Sequence, residues 1–513
     1  MSQTDSLSNN KRIAKNTLLL YFRMIIIMGV QLYTVRVILN TLGSSDYGLY
    51  NVVGGVVTMF AFLSSTMATA SQRYFAYEIG KGNKDQLQKT FSMTLLIYCM
   101  IGVIILLLAE TIGLWFLNNK MTIPPDRLTA ANWVYQFAIL SFILTMFQVP
   151  YDAMVIAHER MNIFAYVSIL EVSMKLLIVY LLVILPNDKL ITYAILGFCV
   201  TFIITSIYKT YCLRNFTESR FKYYWSKPLF KEITSYSGWN LFGAMANLMN
   251  NQGINIILNI FFGPVVNAAR AIAFQVNTSL NQFVQNFLIS TRPQITKYYA
   301  QGENDKMLKL VFQSSKFSFF LIFFFALPIL FEIPFIFQIW LKNIPEYTVL
   351  FTRLIIIGAL IDALSYPLMA AAQATGKIKG YQSIVGLTML LNVPISYILL
   401  KLGFKAEYAF YTSIANSILC LFIRLIMLRK IIGLSVSSFT NKVIFRIIPV
   451  AIISTICVYM VKHFQFVNYL EFAITFISSF LFVFSSSFLM GLDYQERHLV
   501  KDQVNKLIKK IKK

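Results

Sequence analysis

Long apolar runs separated by short polar breaks fill the chain almost from end to end. About fourteen such stretches stand at roughly 16–40, 46–72, 88–109, 130–157, 163–185, 190–211, 233–262, 266–291, 310–337, 348–373, 381–401, 406–428, 443–461 and 467–490. Crossing hydrocarbon takes about 20 apolar residues as a helix, because lipid offers no partner for an open backbone N–H or C=O. Each stretch therefore predicts a transmembrane helix, and the fold class is an all-α integral membrane protein with about 14 transmembrane helices. The longest break, about 209–232, is basic and aromatic and too short to fold as a separate catalytic domain.

Two halves of this pattern echo each other about 217 to 220 residues apart. Ile38-Leu39-Asn40 with Gly43 is matched by Ile257-Leu258-Asn259 with Gly263. The loop Gly80-Lys81-Gly82-Asn83-Lys84-Asp85 is matched by Ala300-Gln301-Gly302-Glu303-Asn304-Asp305, and Pro150 through Arg160 by Pro367 through Lys377. The predicted organisation is an N-terminal six-helix lobe over 1–215 and a second six-helix lobe over 216–432. Two additional helices over 433–490 and a basic cytoplasmic tail over 491–513 complete it. Internal repeats are a common construction for transporters, whose halves rock around a cavity. Carriage rather than chemistry is the first expectation.

Composition agrees, since 57% hydrophobic with 13% charged residues is too apolar for a soluble chain of 513 residues. Lys and Arg collect in short cytoplasmic loops. With the N-terminus inside, the inside segments hold 32 of them and the outside segments 9, while Arg23, Arg36, Lys175 and Lys316 fall within spans. This predicts an inner-membrane protein with both termini cytoplasmic. It also accounts for the net charge of +23 without nucleic acid, because the cations are spread over every second loop, where they meet membrane lipids. Residues 1–10 are polar and precede a span far longer than a signal-peptide core, so no cleaved leader is expected. Five cysteines without CxxC spacing and three scattered histidines give no disulfide framework, metal site, cofactor or catalytic constellation. The chain is not read as an enzyme.

Polar residues inside the spans carry the candidate chemistry, because a charge in hydrocarbon is costly and usually faces a cavity or a partner. In the seventh stretch Asn240, Asn247, Asn251, Asn255 and Asn259 recur at sevens and fours, which forms one stripe drifting through about 120° of a helix. In the eighth, Arg270, Asn277, Asn281 and Gln285 repeat the pattern, widened by Asn267, Thr278, Gln282 and Asn286. Amides supply both donors and acceptors, the inventory that holds sugar hydroxyls. One or two of them would be explained by hydrogen bonding between helices, but two stripes predict a wet cavity. Arg23, Arg36 and Arg270 add guanidinium forks that match phosphate oxygens. Arg23 and Arg36 lie about 140° and nearly 20 Å apart on one helix, so they mark different depths of a path rather than one clamp. Glu171 and Lys175 are one turn apart and predict a structural ion pair. Asp152 and Asp362 stand as candidate groups for a coupling proton or sodium ion. In the tail, Val500, Val504, Leu507 and Ile511 fall at helical spacing among six lysines, the pattern of an interfacial amphipathic helix.

The basic lead-in to the first span, Leu39-Asn40 to Gly43 followed by Asp46-Tyr47-Gly48-Leu49-Tyr50, and Gln72-Arg73-Tyr74 before Gly80-Lys81-Gly82, carry a resemblance across essentially the whole chain. The sequence resembles the lipid-linked oligosaccharide flippases, the polysaccharide-export branch of the multidrug/oligosaccharidyl-lipid/polysaccharide exporter superfamily. The resemblance implies two lobes around a cationic cavity that opens alternately to either side. It implies an undecaprenyl-pyrophosphate-linked repeat unit of O-antigen, capsule or exopolysaccharide as cargo, with polysaccharide polymerase machinery as a partner. It places arginines of the first and eighth helices in the cavity, where Arg23, Arg36 and Arg270 occupy comparable stretches. A peptidoglycan-precursor flippase and a cation-coupled multidrug exporter share the fold. The exporter favours an acidic or aromatic cavity and about twelve spans. A membrane polymerase or ligase would normally carry a large external catalytic loop, which this sequence lacks.

Overall fold

The structure is a computed structural model that describes residues 3–58, 61–119, 123–184, 188–341, 344–463, 468–493 and 496–497; some side chains within the helices, Arg36 among them, lie outside the described residues. It is all-α, with no strand among the described residues. The helices are α1 (Gln3–Thr58), α2 (Ala61–Lys81), α3 (Lys84–Leu108), α4 (Leu114–Asn119), α5 (Leu128–Ala157), α6 (Met161–Ile184), α7 (Lys189–Asn215) and α8 (Lys227–Ala300). They continue as α9 (Asn304–Trp340), α10 (Thr348–Thr375), α11 (Lys379–Lys401), α12 (Tyr408–Ile432), α13 (Val436–Phe439), α14 (Phe445–Lys462) and α15 (Asn468–Ser486). Among the described residues eleven helical stretches are long and apolar enough to cross a membrane. The expected seventh and eighth spans are helical within α8, and their asparagines keep them out of that number. The expected second span is helical over 46–58 and 61–72.

The sequence predicts a break at 41–45, yet helical hydrogen bonding runs through it in α1. Helical pairing satisfies backbone groups that an open loop would leave without partners near lipid. The predicted tail helix falls on residues 498–513, outside the described residues.

The repeat is visible in backbone detail. Gly82 and Gly302 both take the left-handed conformation, φ 71° and 74°. After α2, the Gly82 N–H bonds the Ile79 carbonyl at 3.1 Å and the Asn83 N–H bonds that of Glu78 at 3.3 Å. After α8, Gly302 bonds Tyr299 at 3.1 Å and Glu303 bonds Tyr298 at 2.9 Å. These are the paired bonds of a Schellman cap. The third echo behaves alike: Glu159 (φ 59°) and Gly376 (φ 76°) hold the left-handed cap at matched positions after α5 and α10. Both helices carry the matched proline inside, Pro150 and Pro367.

The chain forms two compact units, Lys15–Leu241 and Met1–Ala14 with Phe242–Lys513. In the first, α5 packs on α7, α2, α3 and α6, around a core that includes Phe75, Phe91, Tyr151, Met154 and Tyr208. Asp46 of the Asp-Tyr-Gly-Leu-Tyr motif is 8% exposed and pairs with Arg127, which also meets Asp188 at 2.6 Å. Asp188 in turn caps α7 through the N–H groups of Leu190 and Ile191. In the second unit, α10 packs between α9 and α12, α11 lies on α12, and α14 and α15 pack on each other and on α9. Lys316, buried in α9, pairs with Glu496 at 2.7 Å. Asp493 and Glu496 exchange side-chain bonds with each other's backbone N–H, at 2.8 and 2.9 Å. This reciprocal box seats the chain beyond α15 on α9.

A Cβ at Gly302 would meet nothing within 4 Å, so Gly302→Ala is expected to cost about 1–2 kcal/mol through backbone conformation alone. The readout is a lower unfolding midpoint of the purified protein in detergent. Gly197→Ala in α7, equally open but helical in backbone, is expected to be neutral or to stabilise by up to about 1 kcal/mol. Equal shifts for the two would remove the left-handed cap as the cause.

Candidate functional site

Helix α8 is interrupted at one residue, Gly263, whose φ of 76° and ψ of −171° are not helical. Nineteen residues of straight helix would hold Asn251 and Arg270 about 28 Å apart. Instead the Arg270 guanidinium donates to the Asn251 carbonyl at 2.7 Å and to Asn255 Oδ1 at 3.2 Å. The chain therefore folds back at Gly263, and the two predicted polar stripes lie on neighbouring arms of a helical hairpin. Each arm carries the same amide ladder: Asn251 Nδ2 donates to Asn247 Oδ1, and Asn281 Nδ2 to Asn277 Oδ1, both at 2.8 Å. The ladders use the Nδ2 groups of Asn251 and Asn281. Those of Asn247 and Asn277 have no acceptor among the described residues.

This hairpin forms one wall of a cavity of about 280 Å³ within the Phe242–Lys513 unit, closed by α10, α11 and α12. Arg270 enters it 8% exposed, with its guanidinium 5.2 Å from the Phe274 ring. Tyr366 of α10 donates to Asn281 Oδ1 at 2.9 Å. Asn392 of α11 ties the wall to α12 by donating to Asn250 Oδ1 and to Ser413 Oγ, both at 2.9 Å. Asp362 and Ser417 line the same cavity, with Asp362 within electrostatic reach of Arg424.

Arg424 corrects the charge count, which left it out of the cations within spans and so gave it to a cytoplasmic segment, although it falls at the end of the 406–428 stretch. It lies two turns inside α12, 3% exposed, and lines the cavity. A signal was present: Ser413, Ser417 and Arg424 follow the fours and sevens of the asparagine stripe. Asn392, the one asparagine of its apolar span, gave none.

Of the predicted site residues, Arg270, Asn247, Asn251, Asn277, Asn281 and Asp362 line this cavity, and Asn255 holds Arg270 from behind. Gln285 does not line it and accepts from Arg292 at 3.1 Å. Arg23 and Asp152 belong to the Lys15–Leu241 unit. There Arg23 lies over the Phe164 ring at 4.6 Å, with its Nε buried and unpartnered. Asp152 accepts from Gln148 at 3.0 Å through one oxygen while the other has no partner. The predicted Glu171–Lys175 pair forms at 2.6 Å. The side chain of Arg36 lies outside the described residues.

A family model described as polysaccharide biosynthesis protein matches residues 13–299, more than half of the chain. The chain belongs to the polysaccharide biosynthesis protein family. Comparison with curated protein sequences gives no match. A MATE transporter crystallised in complex with MaD3S superposes with a TM-score of 0.69 at 14% identity, over 85% of this chain and 99% of that one. A MOP superfamily transporter from Pyrococcus furiosus gives 0.67 at 13% identity, over 83% and 97%. An outward-facing multidrug resistance MATE family transporter of the MOP superfamily gives 0.69 at 12%, over 84% and 99%. At these identities the likeness establishes the fold alone. This member of the polysaccharide biosynthesis family is thus a multi-pass membrane protein with the MATE transporter fold.

Asn392 is 1% exposed and bonds the half-buried Asn250 and Ser413, so Asn392→Ala removes both bonds and is expected to cost about 1–3 kcal/mol, read as a lower unfolding midpoint in detergent. Thr278→Ala, on an exposed face of the same hairpin, is expected to stay within about 0.5 kcal/mol of wild type.

Proposed function

We propose that the protein flips undecaprenyl-pyrophosphate-linked oligosaccharide repeat units across the bacterial inner membrane for O-antigen, capsule or exopolysaccharide synthesis. Arg270, set among the amide ladders of the α8 hairpin, is the observation that carries the reading. A guanidinium fork suits phosphate oxygens and stays charged when desolvated, while the donors of Asn247 and Asn277 suit sugar hydroxyls. At about 280 Å³ the cavity is small for a ligand site, which typically spans about 300–1,000 Å³, so it would hold one part of the headgroup at a time. Moving such a headgroup through hydrocarbon without polar partners would be prohibitive. Membership of a polysaccharide biosynthesis family supports this cargo. The excess of Lys and Arg in alternate loops supports cytoplasmic termini.

Two rivals share the fold. A peptidoglycan-precursor flippase needs the same cationic chemistry and differs in its glycan. A cation-coupled drug exporter is favoured by Asp362 in the cavity and by the multidrug resistance transporter among the structural relatives. Pocket polarity separates members of this fold, since the Pyrococcus furiosus transporter is described as having a binding pocket of reversed polarity that suggests a different function. Here two arginines face one carboxylate, which supports an anionic cargo. Asp152 and Asp362 remain the proposed groups for a coupling proton or sodium ion.

The test follows lipid-linked repeat units on each face of the inner membrane in a deletion strain. Accumulation on the cytoplasmic face, relieved by the wild-type gene, is expected. Arg270→Ala is expected to insert normally and lose export, with Arg270→Lys intermediate because it keeps charge without the fork. An unchanged lipid distribution in the deletion strain would overturn the proposal and favour drug export; wild-type export by Arg270→Ala would remove the proposed site.

A further inference from the structure

The far end of the cavity, away from Arg270, is built around a cation that the protein leaves incompletely bonded. Arg424 is 97% buried, taking its exposure of 3%, and a guanidinium has five N–H donors. Among the described residues it forms one bond, from Nη1 to the Tyr381 hydroxyl at 3.0 Å, and its buried Nε has no partner there. The guanidinium carbon stands 5.9 Å from the centre of the Tyr381 ring. Asp362, the acidic side chain that lines the same cavity, forms no direct ion pair with Arg424 among the described residues. Arg424 lines open space: the cavity has room for about nine waters, at roughly 30 Å³ for each. A buried charge is normally paired or fully hydrogen-bonded, and this one is neither.

We propose that the Arg424 end of the cavity is a binding subsite for an oxyanion, a carboxylate or a phosphate, borne by the cargo. A carboxylate or phosphate beside the guanidinium would take up its remaining Nη donors with two oxygens, the paired geometry that arginine favours. Tyr381 fixes the ring-facing side of the fork. Asp362 sets the affinity by opposing the incoming charge. The shared chemistry has two sources, the carboxylate of an acidic sugar and the phosphate of a lipid carrier. That the oxyanion is borne by the cargo rests on the proposed export, whereas anion binding at Arg424 rests on the cavity and is measured apart from export.

The experiment uses the purified full-length protein in nanodiscs, titrated with glucuronate, inorganic phosphate or glucose, with binding read by calorimetry and by the shift in unfolding midpoint. At least one of the two anions is expected to bind the wild type more tightly than glucose. Glucuronate alone would assign the site to an acidic sugar, and phosphate alone to the carrier. Arg424→Gln is expected to weaken that anion at least tenfold while leaving glucose unchanged, and Arg424→Lys to weaken it less. Asp362→Asn is expected to tighten it several-fold, which a merely structural residue would not do, and this variant keeps the test decisive should Arg424→Gln fail to fold. No anion binding above glucose, equal anion binding by wild type and Arg424→Gln, or unchanged or weaker binding by Asp362→Asn would overturn the proposal.

Discussion

Polar groups in hydrocarbon must find their partners within the protein, because no water is there to take them. Almost every feature of this chain answers to that constraint. It keeps the long apolar runs helical, and with them 41–45, where the residue pattern suggests a loop. It makes the asparagines of α8 ladder along their own helix before they reach anything else. It brings Arg270 back across Gly263 to a carbonyl on the opposite arm, and seats Lys316 on Glu496 from beyond the last long helix. Where pairing stops short, at the Nε of Arg23, one oxygen of Asp152 and the Nε of Arg424, the chain carries cost without an internal return. Those are positions at which a bound group has most to offer.

The duplicated halves preserved geometry more strictly than chemistry. Gly82 and Gly302 end their helices with the same pair of backbone bonds, and Glu159 holds the left-handed turn that glycine holds at 376. A non-glycine residue there carries about 1–2 kcal/mol of strain, so the turn itself is what was kept. Polarity diverged. Residues 240–259 carry six asparagines and Gln252, whereas the matched residues 21–40 carry only Gln31 and Asn40 as amides. The amide-lined cavity of the second unit is therefore a specialisation of one repeat, laid over a scaffold that both share.

The sequence by itself determined the membrane class, the helices and the repeat, because length, hydropathy and turn glycines act locally. It also determined the face of each α8 arm on which the asparagines fall, since helical periodicity alone sets that. Asp46 in its motif was legible as a marker but not as the clamp on Arg127, a residue 81 positions away. Tertiary structure decided which stripes meet. The Gly263 fold-back joined Arg270 to Asn251 and Asn255, while α11 and α12 supplied Asn392, Ser413 and Arg424, residues scattered between 392 and 424 that only packing brings beside α8. The sequence assigned Arg424 to a loop because charge in a membrane protein usually marks a helix end. The spacing of Ser413, Ser417 and Arg424 marks a polar face on α12, but that this face meets the Tyr381 hydroxyl and a cavity wall from α10 is a long-range matter that periodicity does not record.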